Sequence, residues 1–314
     1  MNNNNLTEHD AVGIWYGVLA YTAWGILPLY WKLLNVVPAM EILAHRIVWS
    51  FVFVGAILIL TGGWQKLLLV IQNKKNLLYL FLCGFLISLN WFTYIWAVNS
   101  NHVIEASMGY YINPLVVVLL GVVVLKEKLT RWQGIAILLA TAGVLIITLQ
   151  YGRIPWVALI LAATFALYGL SKKLIKVDSI TGLALETMVV MPLALYFIIT
   201  RQTQGIGSLG RIPFQTALIL CGSGIVTATP LLWFAMGAQK VKLTMMGFLQ
   251  YIAPTLSLLL GIFVFKEYFS ALHFISFSFI WAGLLIFIVE NVGMARQIKA
   301  EKALIKQQSQ ESVI

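Results

Sequence analysis

A four-residue element of tyrosine, isoleucine, any residue and proline occurs twice in this chain, 140 residues apart, at 111–114 and at 251–254. In both copies a Lys-Glu pair begins twelve residues after the proline, at Lys126 and at Lys266. Two pairs of glycines recur at the same spacing: Gly121 with Gly261, and Gly143 with Gly283. The sequence therefore predicts one structural unit that is used twice.

The composition places both units in a lipid bilayer. Apolar residues make up 61% of the chain and charged residues only 10%, whereas a soluble domain carries about 25% charged residues. The alternating pattern of a membrane β-barrel is absent, so we expect an all-α membrane protein. Ten apolar runs have the length needed to cross the hydrocarbon layer. They lie near 12–33, 37–60, 76–98, 102–125, 131–150, 155–175, 179–200, 213–236, 243–265 and 270–291.

The distribution of lysine and arginine predicts the orientation of these ten helices. If the N-terminus is cytoplasmic, the inside loops and the tail hold 15 basic residues, with Lys172 and Lys173 among them, and the outside loops hold five. Basic residues concentrate on the cytoplasmic side of membrane proteins. Residues 1–11 and the tail at 292–314 are therefore predicted to be cytoplasmic. This bias, with attraction to anionic lipid, accounts for the net charge of +10, so we do not expect a nucleic-acid partner.

The two units are predicted to be inverted relative to each other. The first, at 12–150, and the second, at 155–291, each contain five helices, and an odd number of crossings turns the second unit upside down in the membrane. Inverted repeats suit alternating access, in which two similar halves exchange conformations around a central site. The predicted fold is a bundle of 5+5 helices around a shared polar chamber.

Several local segments resemble a known family. Trp24-Gly25, the segment from Glu41 to Arg46 and Asn113-Pro114, with the following Lys126-Glu127, are similar to the EamA-type drug/metabolite transporters, and among these to the RarD-like proteins. The resemblance covers about residues 11–292. It implies a bacterial inner-membrane carrier of small metabolites, often an exporter, with inverted five-helix halves around a central cavity. It does not name the cargo.

Ionisable residues inside the predicted spans are the first candidates for a site, because each costs about 2.5–3.5 kcal/mol at the centre of a membrane helix. Arg46 lies roughly 12–13 Å along its helix, near the midplane, and its equivalent 140 residues later is Glu186. We expect these two to approach each other or to bracket one cavity. Arg46 then either binds an anionic group of the substrate, such as a carboxylate, or forms a fixed ion pair.

Glu41 and His45 form a second candidate group, since residues four apart share one face of a helix. His45 titrates near neutral pH, so the two side chains are candidates for a proton relay that couples transport to the proton gradient. The alternative is a polar cluster that packs at the outer end of the bundle. No cluster of carboxylates or of metal ligands is visible in the sequence, and no metal or cofactor is expected.

Aromatic and amide side chains inside the spans are expected to face protein or a water-filled cavity. The candidates for lining a substrate site are Trp24, Asn90, Tyr94, Tyr110, Tyr111, Asn113, Tyr168, Trp233, Gln250 and Tyr251. An aromatic cavity with a few amides suits amino acids, small aromatic metabolites and some drugs. Pro114 and Pro254 each remove a helix hydrogen bond at mid-span, so each is either a hinge or a rigid kink.

The leading hypothesis is therefore a secondary active transporter that moves a small molecule across the inner membrane, and not an enzyme. A membrane-embedded enzyme, a scaffold and a channel are the alternatives. The Gly13-x-x-x-Gly17 step permits close approach of two helices, either inside one chain or across a dimer, so a monomer and a homodimer both remain open.

Overall fold

The chain folds into a bundle of twelve helices in the computed structural model, which describes residues 8–100, 102–266 and 271–311. No strand occurs among these residues. The helices are α1 (Glu8–Lys32), α2 (Ala39–Leu60), α3 (Trp64–Gln72), α4 (Lys74–Asn99), α5 (Val103–Val123), α6 (Arg131–Tyr151), α7 (Trp156–Leu174), α8 (Ser179–Thr203), α9 (Phe214–Lys240), α10 (Leu243–Leu249), α11 (Ile252–Phe263) and α12 (Ala271–Glu311).

The prediction of ten membrane-spanning helices is confirmed within the described residues. Each span has between 19 and 27 residues, enough to cross about 30 Å of hydrocarbon at 1.5 Å per residue. Helices α10 and α11 together make the ninth span. The apolar part of α12 ends at Met294, and the helix continues to Glu311. The nine-residue α3, between the second and third spans, is too short to cross and was not among the predicted helices.

The two copies of the proline element differ in conformation. Helix α5 runs through Pro114 without a break, whereas the ninth span is interrupted at Gln250 and Tyr251, ahead of Pro254. Proline has no N–H group, so Pro254 cannot donate to the carbonyl of Gln250. That carbonyl instead accepts from the N–H of Ala253 at 3.2 Å, a tighter turn than the α-helix has.

Most of the contacts between helices repeat when the two predicted halves are exchanged. This exchange maps α1 to α7, α2 to α8, α4 to α9, α5 to the α10–α11 pair and α6 to α12. Helix α1 packs on α9 as α7 packs on α4, and α2 packs on α9 as α8 packs on α4. Helix α5 packs on α7 as α10 and α11 pack on α1. The pairs α2–α8, α5–α10 and α6–α12 each map onto themselves.

The packing of α6 on α12 shows the same exchange at the level of single residues. A Cβ atom on Gly143 would lie 2.5 Å from the carbonyl oxygen of Ser276, and one on Gly283 would lie 2.6 Å from that of Ala136. Gly283 follows Gly143 by 140 residues, as Ser276 follows Ala136. Lys126 and Lys266, also 140 residues apart, both have a left-handed backbone, with φ of 54° and 58°. The Glu267 that follows Lys266 lies outside the described residues.

The Gly13-x-x-x-Gly17 step packs inside the chain. A Cβ atom on Gly237 of α9 would lie 3.0 Å from the carbonyl oxygen of Gly13 and 3.2 Å from the nitrogen of Gly17. Small residues therefore bring the backbones of α1 and α9 together, as they do in other membrane bundles. This contact accounts for the two glycines without a second chain.

Candidate functional site

Glu186 forms a buried ion pair, and its partner is Lys172. The Lys172 Nζ atom lies 2.5 Å from Oε1 of Glu186, and each side chain is only 1% exposed. The Tyr168 hydroxyl donates to the other carboxylate oxygen, Oε2, at 3.3 Å. Arg46, the ion-pair partner that the 140-residue spacing suggested, is not the partner in this structure. The carboxylate of Glu186 is thus compensated by a lysine of the neighbouring helix.

The counting of Lys172 among the cytoplasmic loop residues was wrong. Lys172 lies two residues before the end of α7, and Glu186 lies seven residues into α8, so their Cα atoms differ in depth by roughly 7–8 Å. The long side chain of a lysine can bridge such a difference. The interior position of Lys172 follows from this reach. A hydropathy pattern does not reveal it, because Lys173 and Lys176 follow closely in the chain.

Five aromatic rings from α1, α7 and α9 form a cluster that reaches the buried pair through Tyr168. Trp24 lies edge-on to Phe165 and tilted over Phe234, with both centroid distances at 5.7 Å. Tyr168 stacks on Phe234 at 5.8 Å, and Tyr21 contacts Trp24 at 5.5 Å. The structure thus brings the predicted Trp24, Tyr168 and Glu186 together. Phe165 and Phe234 were not predicted, since apolar rings carry no signal that separates them from ordinary core residues.

A small cavity opens beside this cluster, and five helices line it. Its walls are formed by Ile47 of α2, by Ile87, Ser88 and Trp91 of α4, by Tyr168 of α7, by Leu183, Glu186, Thr187 and Val190 of α8, and by Leu231 of α9. It has room for about one water molecule. Glu186 and Tyr168 are the members of the buried cluster that reach its surface.

Arg46 lies within an aromatic cage that includes Trp91, one of the residues that line this cavity. The centre of its guanidinium is 4.5 Å from the centroid of the Trp91 ring and 5.3 Å from that of Trp31. Both distances are within the range of cation–π attraction. Tyr94 and Tyr110 lie within electrostatic range of the guanidinium, and their rings contact each other at 6.0 Å. Trp91 therefore connects Arg46 with the cavity that Glu186 lines.

The charge of Arg46 has no acidic partner in the described part of the chain. No carboxylate oxygen lies within 4.0 Å of its guanidinium there, and its buried Nε atom has no hydrogen-bond partner. A guanidinium is a planar donor that suits a carboxylate or phosphate group. Tyr94 and Tyr110 are 37% and 49% exposed, so protein covers only part of these two residues of the cage.

Glu41 and His45 are both buried, but the carboxylate of Glu41 is held by α8 and the loop that follows. Oε1 of Glu41 accepts from Nε of Arg201 at 2.9 Å, and Oε2 accepts from the backbone N–H of Ser208 at 2.8 Å. This geometry fastens the start of α2 to the end of α8. It favours the polar-cluster interpretation of these two residues over the proton relay.

Asn90 and Trp233 serve the packing of the bundle in this structure. The Asn90 Nδ2 atom donates to the carbonyl of Leu161 at 2.8 Å and to the hydroxyl of Thr164 at 2.9 Å, so it ties α4 to α7. Trp233 packs against the large core around Tyr168 and Phe234. Neither residue is among those that line the cavity.

The residues of the repeated proline element form a separate group near α6 and α12. Tyr111 and Tyr251 pack there with Ala140, Val144 and Ile280, and the Tyr251 hydroxyl donates to the carbonyl of Tyr111 at 3.5 Å. Asn113 and Gln250 are close to these tyrosines in the sequence. Both residues are buried, and the side-chain oxygen of each has no hydrogen-bond partner. This group lies apart from the residues that line the cavity, so the predicted lining residues do not form one surface.

Two links fasten the end of the bundle at which α9 ends and α10 begins. The carboxylate of Glu127 accepts from the backbone N–H groups of Leu243 and Thr244 at 2.7 and 2.8 Å. Lys173 donates to the carbonyl of Val241. The Lys-Glu pair of the first repeat therefore attaches the loop between α5 and α6 to the start of the ninth span. No group of three or more metal-ligating side chains occurs among the described residues.

Comparison with known proteins places this arrangement in a transporter family. Residues 11–149 match the EamA-like transporter family. An uncharacterized transporter of Bacillus subtilis, YojE, is 50% identical over 295 residues, which cover 92% of this chain and 97% of that protein. The protein RarD of Escherichia coli is 40% identical over 285 residues, which cover 91% of this chain and 96% of RarD.

A solved crystal structure shares the fold, with a TM-score of 0.68 at 19% identity, covering 88% of this chain and 96% of the other. The class of molecule is thus a multi-pass integral membrane transporter, with ten spans in the described part of the chain. Within that class, the chain belongs to the RarD-like proteins of the EamA-like transporter family.

Proposed function

We propose that this transporter is a secondary active carrier that exports a small amphipathic metabolite across the bacterial inner membrane by alternating access. The cargo classes that fit the site are amino-acid-like compounds, small aromatic compounds and some drugs. The observation that carries the proposal is the pair of charged sites that Trp91 connects: the caged Arg46, which contacts Trp91, and the buried Glu186, which lines the same cavity as Trp91. Charges at this depth are costly and mark substrate or ion pathways in membrane proteins.

Alternating access is supported by the exchange of helix contacts between residues 12–150 and 155–291. Helix pairs that map onto one another under this exchange are expected of two inverted five-helix halves that rock around a shared site. The cavity beside Glu186 has room for about one water molecule, so a metabolite enters only after the halves move apart. We place both termini in the cytoplasm, because 14 basic residues remain on that side after Lys172 is removed from the 15 counted in the sequence.

The links at the two ends of the bundle are the candidate gates. With cytoplasmic termini, the pairing of Glu41 with Arg201 lies at the outer end, and the contact of Glu127 with α10 lies at the inner end. The break ahead of Pro254 is the candidate hinge, since backbone hydrogen bonds are already interrupted there. Pro114, inside a continuous α5, is the matched control: Pro254→Ala is expected to slow transport more than Pro114→Ala does.

Counterflow in proteoliposomes tests the carrier proposal. Vesicles are loaded with one unlabelled amino acid or metabolite at a time, and entry of the labelled compound is followed. A carrier gives saturable, transient accumulation above equilibrium for at least one compound. Flux that rises linearly with concentration indicates a channel. No flux for any compound favours the alternatives, a membrane-embedded enzyme or a scaffold. Arg211→Gln, which alters an exposed arginine outside the site, serves as the control variant.

A further inference from the structure

We infer that the cargo is an amphipathic monoanion: a carboxylate on an aromatic or branched aliphatic frame, without an ammonium group. This inference rests on the proposed carrier function and narrows its substrate class. It follows from the balance of charges around Arg46, together with the way Glu186 is already occupied.

Three carboxylates of the bundle each lie within 4.0 Å of a basic side chain, which balances their charge. Glu41 pairs with Arg201 at 2.9 Å, and Lys172 with Glu186 at 2.5 Å. Glu105 lies 3.8 Å from Arg153. Arg46 is different, because no carboxylate of the described residues lies within 4.0 Å of it.

Among the described residues, the groups that contact Arg46 or lie within its electrostatic range come from three helices and are neutral aromatic side chains. Trp31 comes from α1, Trp91 and Tyr94 come from α4, and Tyr110 comes from α5. Aromatic faces attract a cation, but they do not cancel its charge. A single negative charge from the cargo would complete the balance, and a carboxylate matches the paired donors of a guanidinium.

A zwitterionic amino acid fits this arrangement less well, because its ammonium group needs an acceptor of its own. Glu186 is the acidic side chain at the cavity surface, and both of its oxygens are occupied, by Lys172 at 2.5 Å and by Tyr168 at 3.3 Å. Lys172 already balances the negative charge of Glu186. An ammonium group that also bound to Glu186 would therefore add a buried positive charge that no further carboxylate among the described residues at this cavity balances.

The apolar part of the cargo is expected to lie against the aromatic cage. Tyr94 and Tyr110 are partly exposed and lie within electrostatic range of the guanidinium, and Trp91 contacts the guanidinium and also lines the cavity. An aromatic ring or a branched alkyl group buries its area against such faces. The site therefore combines one cation with apolar walls, and it favours a carboxylate of intermediate size over a small hydrophilic acid.

Two matched ligand series separate charge from shape. In the aromatic series, 3-phenylpropionate, phenylalanine and phenethylamine share one frame and differ in charge. In the aliphatic series, 4-methylpentanoate is compared with leucine. The purified full-length protein is placed in lipid nanodiscs, and its midpoint of thermal unfolding is measured as each compound is titrated. A ligand that binds the folded state raises this midpoint, and the readout does not depend on membrane permeation.

We expect at least one of the two carboxylates to bind at least tenfold more tightly than its amino-acid counterpart, and phenethylamine to produce no shift. Arg46→Gln should abolish the shift, Arg46→Lys should weaken it, and Arg211→Gln should leave it unchanged. Tighter binding of phenylalanine or leucine overturns the monoanion inference, as does the absence of a shift with every compound. The carrier proposal is judged separately: it survives either result if the counterflow screen finds saturable exchange, and it fails if no compound exchanges.

Discussion

The ammonium group of Lys172 lies 2.5 Å from the carboxylate of Glu186, and both side chains are sealed inside the helix bundle. Desolvation makes such a pair a poor source of stability compared with apolar residues of similar volume. The position of this ion pair at the candidate site explains its presence better than stability does. Glu186 lines the cavity together with Trp91, which in turn contacts Arg46. Two cationic side chains and one carboxylate thus lie at this cavity or in contact with the residues that line it.

The first prediction concerns the coupling between the two members of this pair. Lys172→Met and Glu186→Gln each leave one buried charge or polar group without its partner, so each should destabilise the protein by about 3–5 kcal/mol. The double variant removes both charges and should recover most of this loss. Thermal unfolding in detergent measures the three variants, with Lys66→Met, an exposed lysine, as the control. Additive losses in the double variant would contradict the pairing.

The second prediction concerns recognition of the cargo by Arg46. A charge-assisted hydrogen bond contributes about 1.5–3 kcal/mol, so Arg46→Gln should weaken apparent cargo affinity by roughly 10–150-fold. Arg46→Lys keeps the charge but loses the paired donors, and it should give an intermediate value. The measurement is the concentration dependence of counterflow once a cargo is known. If both variants insert, remain stable and transport normally, the substrate role of Arg46 is excluded.

The third prediction separates the two interpretations of Glu41 and His45. Because Arg201 and Ser208 already hold the carboxylate of Glu41, we expect His45→Gln to keep most of the transport activity and its pH dependence. Glu41→Gln should lower the unfolding midpoint through loss of the ion pair with Arg201. Transport is measured with and without a collapsed pH gradient. A pH dependence that disappears in His45→Gln would support the proton relay instead.

The fourth prediction tests the equivalence of the two halves at the contact of α6 with α12. Gly143→Ala and Gly283→Ala would each place a Cβ atom within 2.6 Å of a backbone oxygen, and overpacking of this kind typically costs about 1–3 kcal/mol. The two variants should therefore lower the unfolding midpoint by similar amounts. Gly134→Ala on the same helix meets no atom within 4 Å and should be neutral or stabilising. Unequal effects of the first two would argue against equivalent halves.

Much of the fold could be predicted from the sequence, because hydropathy and length determine which segments cross a bilayer. The ten predicted spans correspond to the ten found among the residues that the structure describes, and most limits agree within a few residues. The break at Gln250 and Tyr251 was not predicted, since Pro114 occupies the equivalent position in a continuous α5. Local sequence alone does not distinguish these two outcomes. Helix α10, the part of the ninth span before the break, packs on α5, which is itself unbroken.

The candidate site was predicted in its components but not in its pairings. The depth of Arg46 and Glu186 singled out both residues, because a charge inside a span is rare. The partner of Glu186 was missed, since Lys172 lies close to a helix end and reaches the interior only through its long side chain. Tyr111 and Tyr251 were grouped with the cavity residues because of their residue type. Their actual neighbours depend on the rotation of each helix about its axis, which a composition-based pattern does not encode.

The most direct test of the central claim is the accessibility of the cavity from the two sides of the membrane. Ser88 lines the cavity beside Trp91, so Ser88→Cys is introduced after Cys83 and Cys221 have been replaced by alanine. A membrane-impermeant thiol reagent is then added to right-side-out vesicles and, separately, to inside-out vesicles. Alternating access predicts that this cysteine reacts from both sides, and that a bound cargo slows both reactions. Reaction from one side only, or from neither side in a transport-active protein, would contradict alternating access around this site.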